Sequence, residues 1–356
     1  CYSMKYTYNV IEGFRFAENV NKRGEGIMKS QFASELTMRI WIDFKSHFKS
    51  QTTEASYQSD LDEIMEVCDT LTVLRDGKII RTFEKAEFEA GAIRASMIGR
   101  ELQGDYYRSD FQASSQPEVA LDVRNLVYED RLKGISFQVH KGEIVGIGGL
   151  AHCGMHSLGK VCFGALKPEE GSVTVEDGTI IDSPAIAMKK RVGYVSKDRD
   201  VESLCLNASI EDNISIAGMS EFAINNFLIL KNREKKYVNH QIEELSIKCA
   251  GRDQSVSQLS GGNKQKVVFG KWIGCGSEIL ILDCPTRGVD IGVKQAMYQL
   301  MVRLKNEGKS ILMISEELPE LIGMSDRILI MKNGEVSAEF ERSETLSDAQ
   351  IIEYMI

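Results

Sequence analysis

The order of apolar segments predicts an α/β fold around a mostly parallel sheet. Three observations carry that expectation. Short apolar runs recur at 143–148, 192–196, 279–283 and 310–315, as parallel strands covered on both faces would require. Stretches compatible with helices lie between them. One helix–strand–turn pattern also occurs twice at a constant offset of 257 residues, Leu61 matching Leu318.

Residues 1–59 carry ten aromatics and have no repeat partner, so they take no assignment. The stretch 61–69 reads as a helix, followed by a short buried strand from Leu71 and a turn at Asp76-Gly77. Its counterpart runs from Leu318 to Asp326, then from Ile328 to a turn at Asn333-Gly334. Leu, Glu, Asp and Gly are identical between the two copies, and Met97-Ile98 is echoed by Met355-Ile356. The repeat is as long as a whole domain. The chain is therefore expected to hold the tail of one copy, 60–102, and a complete second copy, 119–356. Between them 103–118 is polar and turn-rich, which predicts a linker. Segments 121–127 and 134–139 alternate apolar with polar residues, as half-buried strands do.

Bulk properties exclude several functions. A formal charge of −9 gives no basic face for a phosphate backbone, so no nucleic-acid partner is expected. No run of 18 apolar residues exists to span a bilayer, and no signal-peptide core opens the chain. The eight cysteines form no CxxC pair and read as reduced residues of a cytosolic protein. A first residue of Cys1 rather than methionine suggests a fragment or truncated product.

The chemistry concentrates in a few motifs. Leu259-Ser260-Gly261-Gly262 opens a helix, and glycines there let backbone N–H groups approach an anion; a serine-capped helix is the plainer reading. Asp283 ends the apolar run ILILDCPT at 279–286, a metal-holding position in phosphate-loop NTPases. After it comes the tight turn Arg287-Gly288-Val289-Asp290.

In this order the segments resemble the ABC transporter ATPase family, with LSGG as signature, ILILDCPT as Walker B strand and GVD as D-loop. The resemblance covers roughly 60–100 and 119–356. It implies a P-loop NTPase core with an antiparallel β subdomain and a helical subdomain at about 210–260. PTRGVDIG at 285–292, Asn263 after the signature and SEELPELIGMSDRI at 315–328 look like the C-terminal halves of tandem importers of ribose, galactose, xylose and related molecules. The segment 194–199 with 209–213 is similar to that group's Q-loop and coupling segment, and 61–78 resembles the end of a first ATPase half.

Against that family pattern the ATP site departs at five positions. Gly149 and Gly154 keep phosphate-loop spacing around His152, so the loop is expected to form, with Ser157 following. The next two positions should be Lys and Ser or Thr; they are Met155 and His156. Methionine cannot bond a phosphate, and imidazole poorly replaces the hydroxyl that ligates Mg²⁺. Cys284 stands where the resemblance implies a catalytic Glu, and Glu316 where it implies a switch His. Lys197 replaces an acidic Q-loop residue of the subgroup. Asp283 would remain as the Mg²⁺ ligand. No catalytic residue is therefore assigned, and ATP and Mg²⁺ are both in question at this chain's own site.

The resulting expectation is a non-hydrolytic ATP-binding subunit of a carbohydrate ABC importer, peripheral at the cytoplasmic face of the plasma membrane. Ser260, Gly261 and Gly262 would cap ATP held by a first ABC domain. Membrane permease subunits and, indirectly, a sugar-binding protein would be further partners. Two rivals stand: a non-transport ABC ATPase acting on ribosomes or DNA, and a metal or redox sensor on an ABC scaffold. The second rests on His152-Cys153-Gly154-Met155-His156, which lacks a second ligand pair. Tyr128 could stack on adenine or sit in the core, Asn213 could face a partner or cap a helix, and His47, His140 and His240 read as solvated.

Overall fold

A computed structural model describes residues 106–356 except 112–113 and 225–227; before them it describes 65, 68–75 and 78–98, plus strand backbone at 7–12, 15–16, 30–31 and 38–42. The chain divides into two compact units. The larger comprises residues 107–259, 263–287 and 295–356, the smaller residues 1–106, 260–262 and 288–294.

A six-stranded sheet organises the larger unit, in the order Val192–Val195, Ile279–Asp283, Ser310–Ile314, Ile144–Gly149, Arg327–Lys332, Glu335–Glu341. The first five strands are parallel and the last is antiparallel. Every residue of Val192–Val195, Ile279–Asp283, Ser310–Ile314 and Ile144–Gly149 is buried, which is why these runs show no alternation. The edge strand Glu335–Glu341 alternates exposed and half-buried residues instead. Its turn has Asn333 at φ 53° and Gly334 at φ 87°, the left-handed pair that suits a two-residue hairpin. The Gly334 N–H donates to the Cys153 carbonyl at 3.1 Å, so this turn is latched to the loop after Ile144–Gly149.

The strands expected at 121–127 and 134–139 lie within Val119–Tyr128 and Leu132–His140, which pair antiparallel and carry Glu170–Val175 on the outer edge. Helices Ile210–Ser215, Met219–Phe222 and Lys231–Glu244 occupy the region from 210 to 244. Ser209 caps the first, its hydroxyl accepting from the Asp212 N–H at 3.0 Å. Asn213, considered as a partner contact, is 4% exposed and bonds the Cys205 and Ser209 carbonyls. It is a structural residue.

Asp326 explains one invariant position of the repeat. Its carboxylate is 2% exposed and accepts from the Ile144 N–H at 2.8 Å, fixing the start of that strand. Arg108 at 3.0 Å and Lys305 at 3.1 Å offset its charge. Arg108 comes from the stretch read as a linker. Its described residues are held at both ends, with the Tyr107 and Tyr298 rings 5.2 Å apart and Gln116 N–H bonded to the Lys141 carbonyl. A buried carboxylate needs cations, and this polar segment supplies one.

The smaller unit contains a four-stranded sheet ordered Met38–Ile42, Thr7–Glu12, Thr70–Arg75, Lys78–Glu84. Cys68, Leu71, Val73, Phe83 and Ile93 form its buried cluster. Thr70–Arg75 and Lys78–Glu84 match Arg327–Lys332 and Glu335–Glu341 residue for residue at the repeat offset. The ladder fault between Val73 and Leu74 matches the one between Ile330 and Met331. The turn at Asp76-Gly77 and most of the helix expected at 61–69 lie outside the described residues.

Candidate functional site

The loop after Ile144–Gly149 leads into the helix Met155–Cys162. Gly154 needs to be glycine twice over. Its φ is 102°, and a Cβ there would lie 2.1 Å from the Arg131 carbonyl oxygen. A Cβ on Gly149 would likewise lie 2.4 Å from the Met331 carbonyl oxygen. His152 is exposed and left-handed at φ 69°, a conformation that costs about 1–2 kcal/mol outside glycine. Met155 is 1% exposed, a core residue rather than a loop-lining one. Ser157 is buried, with the Arg131 guanidinium 3.5 Å from its hydroxyl.

His156 sits where the loop, two strand ends and the 315–317 segment meet. Its Nδ1 lies 2.7 Å from Asp283 Oδ1. The second Asp283 oxygen accepts from the Tyr194 hydroxyl at 3.2 Å. On the far side of the ring, Nε2 lies 3.1 Å from Lys197 Nζ and 3.4 Å from Glu316 Oε1. Lys197 Nζ reaches the same Glu316 oxygen at 2.5 Å. Lysine only donates, so beside Lys197 the ring accepts at Nε2 and donates from Nδ1 to Asp283. The result is a continuous chain, Asp283–His156–Lys197–Glu316.

Burial works to raise the Glu316 carboxyl, but the Lys197 ammonium outweighs it and holds it below the ordinary glutamate value. Cys284 follows Asp283 at φ 49°, its N–H donating to the Ile314 carbonyl at 2.9 Å. Burial first, then the carboxylates of Asp283 and Glu316, push its thiol far above the usual range. A thiol held neutral in this way is no general base. Burial and Asp283 likewise raise the Tyr194 phenol, which stays a hydrogen-bond donor.

These side chains fit Mg²⁺ and a nucleotide triphosphate poorly. A hard cation at Asp283 would have to displace the imidazole from one oxygen and share the other with Tyr194. No cation stands at Met155, and Glu316 presents negative charge.

Of the residues read from sequence, His156, Lys197, Asp283, Cys284 and Glu316 come together, with Gly149 and Gly154 shaping the loop beside them and Met155 turned into the core. Ser260, Gly261 and Gly262 group with the smaller unit. There a Cβ on Gly262 would meet a Val293 methyl at 2.7 Å, a packing reason for that glycine. His152 and Cys153 do not join a metal-ligating cluster; among the described residues that grouping is His156, Asp283 and Cys284. His140 is not simply solvated, its ring lying 3.2 Å from Glu143, whereas His240 is largely exposed and His47 lies outside the described residues. Sequence reasoning missed Tyr194 as the holder of Asp283. Its place at the end of a strand neighbouring Ile279–Asp283 was the available signal.

A parallel sheet flanked by helices, an antiparallel β sheet beside it and a loop of phosphate-binding spacing define an ATP-binding cassette of the α/β class. The ABC transporter family profile matches residues 132–287. The chain is 37% identical to the ribose import ATP-binding protein RbsA of Clostridium tetani, over 83% of this chain and 58% of that one. It is 38% identical to the Bacillus subtilis protein of that name, over 81% of this chain and 58% of the relative. For the Streptococcus agalactiae protein identity is 40%, over 80% and 57%. Among solved structures, a nucleotide-free cassette from an ABC transporter aligns at TM-score 0.55 and 23% identity, covering 67% of this chain and 99% of that one. An ADP-bound cassette aligns at 0.56 and 24%, covering 66% and 98%. Residues 132–287 thus belong to the ABC transporter ATP-binding family. The chain spans 58% of the length of the first curated relatives it matches.

Proposed function

We propose that this chain is the ATP-binding part of an importer of ribose or a related small sugar, and that its own nucleotide site does not hydrolyse ATP. Resemblance to three ribose import proteins supports the transport role. The contact of 2.7 Å between His156 and Asp283 carries the second half of the reading. It commits the carboxylate that would hold Mg²⁺, while the neighbouring positions offer a buried methionine, a neutral thiol and an anion. Losing a positioned base alone typically costs about 10²–10⁴ in rate.

In this reading residues 60–102 are the tail of a first ATPase domain, an assignment supported by the matching hairpins and their shared ladder fault. Residues 119–356 are the second domain, and Ser260–Gly262 would serve the ATP site of a first domain. Permease subunits would hold the assembly at the cytoplasmic face of the membrane, with a sugar-binding protein delivering substrate. Among the described residues no helix is long and apolar enough to cross a membrane itself.

The test is Mg²⁺-dependent ATP turnover by the purified chain, expected at background. Turnover near 1 s⁻¹, the low end of ordinary enzyme rates, that disappears in Asp283→Asn would overturn the reading.

A further inference from the structure

The geometry points to a binding site for a transition-metal ion of the zinc class, formed by His156, Asp283 and Cys284. One ligand atom from each lies within 4.8 Å of the others. Tetrahedral zinc, at about 2.0–2.3 Å from nitrogen, oxygen and sulfur, sets its ligands roughly 3.5 Å apart. From separations within 4.8 Å, reaching the tetrahedral spacing takes shifts on the order of 1 Å, including movement of the His156 Nδ1 away from Asp283 Oδ1, now 2.7 Å distant. Three protein ligands leave a fourth position, reached from the solvent side where His156 is 29% exposed.

The donor set is what separates this site from a magnesium site. Imidazole and thiolate suit zinc, cobalt and their neighbours, whereas magnesium asks for oxygen. Charge also balances: a thiolate and a carboxylate match the two positive charges of the ion. The thiol proton leaves to solvent when the metal binds, because coordination deprotonates a ligating thiol. The imidazole proton at Nδ1 gives way to the metal, and Nε2 takes one up.

Two of the outer contacts suit that state. A ligating histidine usually donates its other N–H to a carboxylate, and Glu316 Oε1 lies 3.4 Å from Nε2. The second oxygen of Asp283 is held by the Tyr194 hydroxyl, which orients the carboxylate. Lys197 is the opposing feature, 3.1 Å from Nε2, and its charge is offset by Glu316 at 2.5 Å. The His152–Cys153 pair next door is not part of the site, since Cys153 and His152 fall outside the cluster. This inference needs no nucleotide, so it goes beyond the reading of the ATP site and stands or falls separately.

Cobalt(II) is the probe, titrated into the full chain without nucleotide. One equivalent is expected to bind with strong visible ligand-field bands and a near-ultraviolet thiolate charge-transfer band, and Zn²⁺ should displace it. Cys284→Ser should remove the charge-transfer band. His156→Asn should weaken binding by at least about tenfold, the smaller effect usual for outer-shell changes. A variant with Cys1, Cys205, Cys249 and Cys275 changed to serine should keep the whole spectrum. Should Cys284→Ser not fold, His156→Asn in the otherwise intact chain supplies the decision. Weak octahedral bands alone, a charge-transfer band that survives Cys284→Ser, or tight binding that survives His156→Asn would each overturn the assignment.

Discussion

Met155 occupies a position where the family resemblance implies a lysine, and at 1% exposure it is packed as core. Met155→Lys is therefore expected to lower stability by at least about 2 kcal/mol, measured by urea denaturation, because the ammonium enters a buried site without a partner. It should not restore turnover, since Asp283 stays bonded to His156. Gly154 and Gly178 make a controlled pair. Both have left-handed φ, 102° and 77°, but only Gly154 faces a carbonyl, whereas nothing lies within 4 Å of a Cβ on Gly178. Gly178→Ala should cost about 1 kcal/mol from backbone strain, and Gly154→Ala at least about 1 kcal/mol more. Glu316 has a folded-state carboxyl below the ordinary glutamate value of 4.5. The unfolded chain therefore binds more protons in that window, so stability from the Lys197–Glu316 pair is present above 4.5 and lost as pH falls below it. Glu316 is 43% exposed, so the effect should stay under about 1 kcal/mol. Stability measured from pH 3 to 7 should fall less steeply on the acid side in Glu316→Gln than in the parent chain, where Asp110, Asp122, Asp177 and Asp212 also contribute.

At the scale of elements, strand Ile144–Gly149 depends on a charge far away in sequence. Asp326→Asn would leave Lys305 and Arg108 buried beside a neutral amide, and should cost about 3–5 kcal/mol in thermal or urea unfolding. The buried parallel strands were legible in the sequence because continuous apolar runs of that length have one good use. The second-copy turn was legible because Asn333-Gly334 can both adopt positive φ. Four of the five residues gathered at the candidate site were legible as departures from a motif, and Asp283 as the position that keeps it. Their mutual contact was not, since His156 and Asp283 are 127 residues apart and only the parallel sheet brings them together. Nor was Thr7–Glu12 legible as a strand. It pairs parallel with Thr70–Arg75, a partner more than fifty residues on that no local pattern announces. The tie of Arg108 to Asp326 was missed for a related reason: polar composition marks a linker but says nothing of a buried carboxylate waiting elsewhere.

For the whole molecule, the reading as a helper to another ATPase domain makes a direct demand. Mixing this chain with a first domain that carries an intact phosphate loop should raise ATP turnover of the mixture, and Ser260→Arg should abolish the gain by filling the place of a phosphate. Association of the two without any stimulation would show the signature to be inert. The two hairpins carry a different kind of information. Each breaks its ladder at the same step, between Val73 and Leu74 in one and between Ile330 and Met331 in the other. Such faults persist within families because neighbouring packing is built around them. Two lineages would hardly stumble on the same irregular stitch at the same place. On the proposed reading of residues 60–102 as the tail of a first domain, the kink is an heirloom, older than the parting of the two copies.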